Sequence, residues 1–500
     1  MQSGRVYSGN ELATRGKSDH HGTYILEMLT IADVIETLSG IRPSWAEIRL
    51  VGAEVNSRQV NPETVFLALS GERVDGHDYI QDAIEHGAIL AIVQKDLSDR
   101  FRILDLRKDK QEQLDEPIEL PFCIWVDDVL SALQKVARAW RRKLNPRVIG
   151  ITGSVGKSTT KEVVAEVLNQ RYRTLKNPGN LNNEIGLPLT LLSLSEEHQR
   201  AVLEMGFYIP GEIAFLCDIA QPQVGVITNI GTVHAERAGS QEVIARGKAE
   251  LIQALPAAPE GVAILNYDDP LVREMASQTQ ARVFYYGLDP QADLWADHVE
   301  GLGLDGIRFR IHFGKETHYL RVPLIGRHSV QTILRAAAVG LAEDLTWQEI
   351  VDGLKTGKGQ LRLLAVPAKN GALILDDTYN ASPESMLAAL NLLEELEGNK
   401  VAVLGDMLEL GRYEQRGHQM VGIRAAEVVD ELITVGERGR LIAIAARNAG
   451  LPASVIVEFS DKQSVIAHLQ RNLSADDIVL IKGSRGMGMD QIVSALESRR

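Results

Sequence analysis

The feature that most constrains the fold is a repeated alternation of short apolar runs with segments of helix length in the middle of the chain. Such runs, ending in glycine, asparagine or an acid, are typical of parallel strands covered by helices on both faces. Ligands of such sheets bind at the carboxyl ends of the strands. The chain is therefore predicted to be an α/β protein. The runs are AVLEMG at 201–206, VGVITNIG at 224–231, GVAILN at 261–266 and RVFYYG at 282–287.

The chain is long enough for about three domains, because 500 residues exceed what one hydrophobic core usually organises. Pro146 interrupts a helical pattern just before the strand VIGIT (148–152), and the alternation restarts after about residue 358. A charged stretch at 107–116 is predicted to be a surface insertion, and Met28 is a second candidate for the translation start. The predicted limits are a disordered tail over 1–27 and domains over 28–143, 144–358 and 359–500.

Composition excludes several classes of function. No apolar run reaches the roughly 18 residues of a membrane span, and residues 1–23 lack the apolar core of a secretory signal. Cys123 and Cys217 both lie in apolar stretches, which fits structural thiols in a reducing compartment. The formal net charge of −14 argues against nucleic acid, since binding a phosphate backbone needs a basic surface. We expect a cytoplasmic monomer without a membrane span or a nucleic-acid partner.

A glycine loop follows the strand VIGIT at once and leads into a helix with apolar residues at 163–168. Loop glycines let backbone N–H groups close around an anion, Lys157 can reach the β- and γ-phosphates, and Ser158 can hold Mg²⁺. Ile151 replaces the first glycine of the usual G-x-x-x-x-G-K-S spacing. The alternative is a glycine turn with an incidental lysine, but the flanking strand and helix favour a nucleoside triphosphate site. Its predicted residues are Thr152, Gly153, Ser154, Val155, Gly156, Lys157, Ser158 and Thr159.

This loop resembles the form of the phosphate loop found in the Mur ligase family, and further segments match that family in order from Met28 to the end. The loop alone is only moderately specific for this family, whereas all the segments together are a strong indication of it. The resemblance implies a small α/β UDP-binding domain, a central P-loop parallel-sheet ATPase domain and a C-terminal Rossmann-like α/β domain. Besides the helix that carries Lys248, the segments are NPGNLNNEIGLPLTLL (177–192), EMG (204–206), TNIGTVH (228–234), DDTYNASPESM (376–386), LGDMLELG (404–411) and KGSRGMGM (482–489).

Within that family, the NLNNEIG, DDTYNASP and KGSR segments resemble the members that add D-alanyl-D-alanine to a UDP-N-acetylmuramoyl-tripeptide. The resemblance implies that ATP activates the tripeptide carboxylate as an acyl phosphate, from which the dipeptide amine displaces phosphate. The charge of the triphosphate and of the carboxylate must be neutralised, so Mg²⁺ and lysine are needed. The resemblance implies two Mg²⁺ ions.

Four residues are implied as metal ligands, and three of them also as catalytic residues together with Lys157. Glu204 ends the strand AVLEMG, where an ordinary surface acid is the alternative. His234 follows the strand VGVITNI, and the matching family histidine contributes to a second metal site, although a lone histidine is more often structural. The implied ligands are Ser158, Glu204, His234 and Lys248.

Lys248 lies in a helix predicted over 241–255, on the stripe of Ile244, Leu251 and Ile252 that should face the core. By spacing alone, the favoured interpretation is that the stem packs while the ammonium reaches water. The matching family lysine can be carbamylated, which turns a cation into an anionic ligand for the second Mg²⁺. Burial would lower the pKa of the lysine and supply the neutral amine that reacts with CO₂. We therefore hypothesise that Lys248 is carbamylated.

Further nucleotide contacts follow from the resemblance. Arg362 matches an arginine that reaches the phosphates, Asp377 an acid that holds the ribose, and Asn229 a residue near the nucleotide; an ordinary surface ion pair and a turn-forming asparagine are the alternatives. The family pattern Gly-x-His-Asn-x-x-Asn reads GRHSVQT at 326–332, which keeps His328 but replaces both asparagines. Adenine recognition by this segment is therefore an open question.

Substrate contacts are implied in three places. Ser57 and Arg58 resemble residues of the family's UDP-binding domain, and the asparagine-rich loop resembles one that contacts the muramoyl peptide, with an ordinary turn as the alternative. The residues after the third-domain strands resemble those that shape the dipeptide pocket. Besides Ser57 and Arg58, the implied residues are Asn180, Asn182, Asn183, Tyr379, Asn380, Ser382 and Lys482.

Two other functions stay open at the level of the sequence. One is another ligase of the Mur or folylpolyglutamate type, which would use the same chemistry with a different amine. The other is a P-loop regulator without ligase activity, for which His234 and Lys248 near strand ends would be superfluous. No motif distinguishes lysine from diaminopimelate as the third residue of the tripeptide.

Overall fold

The computed structural model describes residues 28–71, 74–107, 114, 116–232, 236, 239–356 and 364–498. Three sheets with their helices are distributed over two compact units. The first unit contains the described residues up to Pro146 together with Pro188–Gln199, and the second contains the other described residues. No helix within the described ranges is both long and apolar enough to cross a membrane. The predicted tail and most of the predicted insertion at 107–116 lie outside the described residues.

The first unit is built on a five-stranded sheet. Its elements are α1 Ile31–Ser39, β1 Gly52–Glu54, β2 Thr64–Leu67, α2 Ile80–Glu85, β3 Ala88–Val93, β4 Ile103–Asp105, β5 Phe122–Trp125 and α3 Val129–Leu144. The strands are parallel in the order β1-β2-β3-β5-β4. Phe66, Ile80 and Ala91 belong to its apolar core. Trp140 Nε1 donates to the Leu194 carbonyl oxygen at 3.0 Å, which ties the segment 188–199 to this unit.

The second unit begins with a nine-stranded sheet. Its strands are β6 Arg147–Thr152, β7 Thr174–Lys176, β8 Arg200–Glu204, β9 Val224–Ile227, β10 Val262–Asn266, β11 Arg282–Gly287, β12 Leu294–Gly301, β13 Ile307–Phe313 and β14 Glu316–Val322. Their order is β14-β13-β12-β11-β10-β9-β6-β8-β7. Strands β6 to β12 are parallel, as predicted. Strands β13 and β14, which the sequence did not single out, add an antiparallel edge to this sheet.

Helices cover both faces of this sheet. They are α4 Lys157–Leu168, α6 Glu212–Ala220, α7 Gln241–Gln253, α8 Pro270–Arg273, α9 Ser329–Ala342 and α10 Trp347–Lys355, whereas α5 Gly186–Leu192 runs into the segment of the first unit that begins at Pro188. On one face, α4, α9 and α10 share an apolar core with β6, β8 and β9. On the other face, Leu251 of α7 lies so close to Gly150 of β6 that an added Cβ would come within 2.8 Å of it. This arrangement brings the carboxyl ends of β8, β6 and β9 side by side.

A six-stranded sheet forms the C-terminal part of the second unit. Its elements are β15 Leu364–Pro367, β16 Leu373–Asp377, α11 Pro383–Glu395, β17 Asn399–Gly405, α12 Glu414–Val428, β18 Glu431–Val435, α13 Gly439–Asn448, β19 Ile456–Phe459, α14 Lys462–Asn472, β20 Asp477–Lys482 and α15 Asp490–Leu496. The order is β15-β16-β20-β17-β18-β19, parallel except for β15. Apolar cores on both faces confirm the predicted Rossmann-like architecture.

Candidate active site

The predicted phosphate loop connects β6 to α4. Gly153 and Gly156 have φ values of 147° and 84°, which side chains rarely adopt. A Cβ on Gly153 would also lie 1.8 Å from Thr228 Oγ1, so any substitution there must displace the loop. Gly156 is the N-cap of α4 and supplies no capping side chain, and the N-terminus of a helix favours the binding of an anion.

The turn after β9 holds this loop in place. The backbone N–H of Val155 donates to Asn229 Oδ1 at 3.0 Å, and that of Ser154 donates to the Asn229 carbonyl at 2.9 Å. The Thr228 hydroxyl donates to the Val155 carbonyl at 2.7 Å, and the Gly231 N–H donates to Ser154 Oγ at 2.8 Å. Asn229 therefore fixes the loop in addition to lining the cavity beside it, and Thr228 is a positioning residue that the sequence did not single out.

The first residue of the predicted loop, Thr152, is bonded within the sheet. The hydroxyl of Thr152 is fully buried and donates to the Met205 carbonyl at 3.0 Å. Its side chain does not line the cavity described below. The structure thus gives this hydroxyl a contact between neighbouring strands, where the sequence had predicted a nucleotide contact.

Glu204, at the end of β8, is the centre of a buried polar cluster. Its Oε2 accepts a hydrogen bond from Ser158 Oγ at 2.6 Å, and its Oε1 accepts one from Asn182 Nδ2 at 2.9 Å. Asn177 fixes its backbone, donating to the Glu204 carbonyl at 3.0 Å and accepting from its N–H at 2.9 Å. The structure therefore brings together two of the predicted metal ligands, and it places Asn182 on the carboxylate.

The asparagine-rich loop is anchored by a buried lysine that the sequence did not single out. Lys161 donates to the carbonyl oxygens of Asn177 and Gly179 at 2.6 and 3.0 Å. Its signal was its place on the buried side of α4, between Lys157 and Val164. Asn180 and Asn183 are exposed on the anchored loop, so their side chains are accessible to a substrate.

Lys248 is almost fully buried, with 1% of its surface exposed, and its Nζ donates to the Gly153 carbonyl at 2.8 Å. The Nζ lies 4.8 Å from the ring centroid of Phe207 and makes no ion pair with a described carboxylate. Burial, and secondly the charge of Lys157, lower the pKa of Lys248 well below its usual value. The interpretation that its ammonium reaches water is therefore wrong, because the Nζ is buried and donates to a backbone carbonyl.

Lys157 donates to the same carbonyl group of the loop as Lys248. Its Nζ donates to the carbonyl oxygens of Gly153 and Ser154 at 2.9 and 3.3 Å. Two lysines therefore converge on the Gly153 carbonyl, one from α4 and one from α7. The predicted residues His234 and Arg362 lie outside the described residues.

Asp377 and Lys482 end the neighbouring parallel strands β16 and β20 and are directly paired in register. Lys482 Nζ donates to Asp377 Oδ2 at 2.6 Å and to the Asn380 carbonyl at 2.9 Å. Only 2% and 14% of the lysine and aspartate side chains are exposed, so this ion pair is largely buried. The residues predicted to contact ribose and dipeptide are thus bonded to one another.

The other predicted substrate residues occupy distinct environments. Ser382 is buried and caps α11, in a capping box with Ser385. Tyr379 is exposed, with the Arg485 guanidinium carbon 5.6 Å from its ring centroid. In the first unit, Ser57 is buried and Arg58 is exposed in a short 3-10 helix.

A cavity of roughly 330 Å³ within the second unit joins the phosphate loop to the C-terminal sheet. It brings together many of the predicted residues and adds two polar residues of α9, Gln331 and Arg335, that the sequence did not single out. Predicted residues along its wall include Ser154, Val155, Gly156, Thr159, Asn229, His328, Asp377, Asn380, Ser382 and Lys482.

The cluster at Glu204 fits a magnesium ion that is shared with a nucleotide. Among the described residues, no group of three or more His, Cys, Asp or Glu side chains forms a complete metal cage. Mg²⁺ usually takes one or two protein oxygens and completes its shell with phosphates and water. Ser158 and Glu204 offer two such oxygens at the start of α4.

Comparison with known proteins identifies the family. Three family models match in order: "Mur ligase family, catalytic domain" over 49–141, "Mur ligase middle domain" over 151–340 and "Mur ligase, glutamate ligase domain" over 361–485. A protein of Bacillus subtilis (strain 168) is 35% identical over 474 residues, which cover 93% of this chain and 98% of that protein. The chain therefore belongs to the Mur ligase family.

Relatives within the family have names that specify a reaction. The Bacillus subtilis protein is named UDP-N-acetylmuramoyl-tripeptide–D-alanyl-D-alanine ligase. A crystal structure of MurF from Acinetobacter baumannii superposes with a TM-score of 0.77 at 30% identity, covering 94% of this chain and 98% of that one. MurF ligase from Thermotoga maritima in complex with ADP gives a TM-score of 0.72 at 27% identity, covering 89% and 96%.

Proposed function

We propose that this chain joins D-alanyl-D-alanine to a UDP-N-acetylmuramoyl-tripeptide in an ATP-dependent reaction, and so completes the peptide of a peptidoglycan precursor for the cell wall. The observation that carries the proposal is the convergence of Ser158, Glu204 and Lys248 on a phosphate loop that opens into a cavity shared with the C-terminal sheet. The names of the relatives support the choice of substrates.

The proposed chemistry proceeds in two balanced steps. An oxygen of the tripeptide carboxylate attacks the γ-phosphorus, a P–O bond to ADP breaks, and an acyl phosphate forms. The dipeptide amine then attacks the acyl carbon, loses a proton, and displaces inorganic phosphate. The N–H groups at the start of α4 and the ammonium of Lys157 stabilise the charge on the phosphates. Ser158 and Glu204 would hold a Mg²⁺ ion, which would lower that charge further.

Lys248 is the proposed site of carbamylation. Its buried amine favours the neutral form that adds to CO₂, and the product would present anionic oxygens beside the phosphate loop. His234 remains a predicted ligand of the second metal site, together with the carbamate of Lys248. Chemical rescue of a Lys248→Ala variant by short carboxylic acids would support the role, because an added carboxylate replaces the oxygens of the carbamate.

The C-terminal sheet is proposed to close the nucleotide and dipeptide sites. We propose that Asp377 holds the ribose and that Arg362 reaches the phosphates, with Asn380 and Lys482 near the dipeptide. Asp377 and Lys482 are bonded to each other. For Asp377 to bind the ribose and Lys482 to bind the dipeptide, this ion pair must either break or form additional hydrogen bonds with the ligands. Asn180 and Asn183 are proposed contacts of the muramoyl peptide, and Ser57 with Arg58 of the UDP group.

The test is phosphate release in mixtures that each omit one component. The full mixture contains the full-length chain, ATP, Mg²⁺, a UDP-N-acetylmuramoyl-tripeptide and D-alanyl-D-alanine, with lysine or diaminopimelate as third residue in parallel. Release that needs every component supports the proposal. Release that continues without the dipeptide, or with glutamate in its place, contradicts the substrate assignment, and nucleotide binding without any release favours a regulator. The predicted domain limits, monomeric state and cytoplasmic location belong to the same proposal.

A further inference from the structure

The dipeptide must lose protons before and during the proposed second step. A free dipeptide carries an ammonium group at neutral pH, and only the neutral amine has the lone pair that attacks the acyl carbon. A group that binds the ammonium and accepts its proton would therefore assist this step. Among the described residues, two that line the cavity have carboxylates, Asp377 and Glu384. Asp377 is bonded to Lys482, which leaves Glu384 as the candidate.

Glu384 lies in the first turn of α11, after the cap at Ser382. The residue is exposed and lines the cavity, so its carboxylate is accessible to a bound molecule. It forms no ion pair with any residue in the described ranges. Asn380 and Ser382, which are proposed to contact the dipeptide, line the same cavity. A carboxylate in this position can bind a cationic group of the substrate.

The turn after β9 shows where this carboxylate lies. Glu384 Oε1 accepts a hydrogen bond from the backbone N–H of Thr232 at 3.3 Å. A Cβ added to Gly231 would lie 2.8 Å from the same oxygen. The N–H of Gly231 in turn donates to Ser154 Oγ of the phosphate loop at 2.8 Å. Glu384 therefore extends from α11 to the edge of the phosphate loop, where the acyl phosphate would meet the dipeptide.

We propose that Glu384 is a catalytic residue of the amide-forming step, because its carboxylate binds the ammonium group of D-alanyl-D-alanine and accepts one of its protons. The proton passes to a Glu384 oxygen, and the nitrogen lone pair attacks the acyl carbon. The N–C bond forms, the C–O bond to phosphate breaks, and the second proton leaves with the departing phosphate. The exposed carboxylate then returns its proton to water. The inference rests on the proposed function and assigns a residue to its second step.

Separate assays of the two steps test the inference on the full-length chain. Glu384→Gln keeps an oxygen that can accept from the Thr232 N–H, but it removes the charge and the basicity of the side chain. We expect dipeptide-dependent phosphate release to fall roughly 10²-fold in this variant. The first step should keep the rate of the parent chain, measured as ADP formed in a single turnover from ATP and the tripeptide substrate without dipeptide.

Two further variants separate this role from a structural one. Glu384→Asp keeps a carboxylate and should recover roughly 10-fold of the lost rate. Glu397→Gln, at an exposed acid just after α11, is the matched control and should behave as the parent chain.

Two results would overturn the inference. One is full dipeptide-dependent release in Glu384→Gln. The other is an equal loss of both steps, since Glu384 would then act through its contact with Thr232. Phosphate release by the parent chain that does not need the dipeptide contradicts the proposed function instead.

Discussion

Two lysines in the second unit are buried to the same degree but differ in what compensates their charge. Lys482, at the end of β20, is bonded to the carboxylate of Asp377, whereas Lys248, from α7, is bonded to a backbone carbonyl of the phosphate loop. A paired buried charge is compatible with stability, while an uncompensated one is costly. We infer that the C-terminal pair stabilises its sheet edge, and we propose that Lys248 takes part in the chemistry.

The backbone near the two lysines also differs. The phosphate loop contains Gly153 and Gly156 with positive φ values, and contacts from the turn after β9 maintain that conformation. The edge at Asp377 is regular strand with direct pairing in register. Variants on the two edges should therefore separate a loss of activity from a loss of stability.

The largest effect is expected at the phosphate loop. Lys157→Ala should lower the rate of acceptor-dependent phosphate release by roughly 10³-fold, because the ammonium stabilises charge that moves between phosphates. Its thermal unfolding should stay close to that of the parent chain. Lys315→Ala, at an exposed lysine between β13 and β14, is the control and should retain activity. Substantial activity in Lys157→Ala would show that the loop has been misinterpreted.

A loss of stability is expected next, at the C-terminal edge. Lys482→Met should destabilise the second unit by about 3 kcal/mol, because Asp377 keeps its charge without the lysine. The double variant Lys482→Met with Asp377→Asn should recover part of that loss, since no buried charge is left uncompensated. Calorimetric unfolding of the parent chain, the single variant and the double variant measures the loss and the recovery. An unaltered transition in Lys482→Met would show that the ion pair does not stabilise the second unit.

The opposite sign is expected for Lys248. Lys248→Met should abolish turnover and yet stabilise the second unit by about 2 kcal/mol at pH 7, because it removes a buried amine that makes no ion pair with a carboxylate in the described part of the chain. Since folding lowers the pKa of Lys248, the unfolded parent chain takes up this proton at a higher pH, about 10.4, than the folded chain does. The parent therefore loses stability as the pH falls, and the advantage of the variant should grow from pH 10 to pH 7.

Calorimetry in CO₂-free buffer at the two pH values measures that trend. An advantage of equal size at both pH values would show that the folded lysine is protonated at pH 7. That result would also remove the basis for carbamylation.

The smallest effect concerns the start of α11. Ser382→Ala should cost about 1 kcal/mol through loss of the helix cap, and Ser382→Asn should restore it, since asparagine is a good N-cap. If the hydroxyl also contacts the dipeptide, Ser382→Ala raises the KM for D-alanyl-D-alanine while the KM for ATP stays constant. A KM effect that Ser382→Asn does not reverse would separate the substrate contact from the cap.

The sequence predicted the elements whose signal is local. Apolar runs ending in glycine or an acid are buried on both faces, which is why β6, β8 to β11 and the parallel strands of the C-terminal sheet were predictable. Strands β13 and β14 have one covered face and alternate buried with more exposed residues, so they carry no such run. The glycine loop was equally visible, because its chemistry needs those residue types at that spacing.

Tertiary contacts account for what the sequence did not predict. Nothing local to α7 shows that Lys248 meets the Gly153 carbonyl rather than water. Likewise, nothing local to α9 shows that Gln331 and Arg335 line the cavity or that Gln331 Nε2 donates to Asp268.

A crystal structure with a non-hydrolysable ATP analogue and Mg²⁺ tests the central claim most directly. The account predicts the triphosphate against the N–H groups of residues 153–158, with Lys157 moved from the Gly153 carbonyl to the terminal phosphates and the metal between Ser158 and Glu204. Density for the nucleotide elsewhere, with the loop empty and Lys157 still on Gly153, would contradict it.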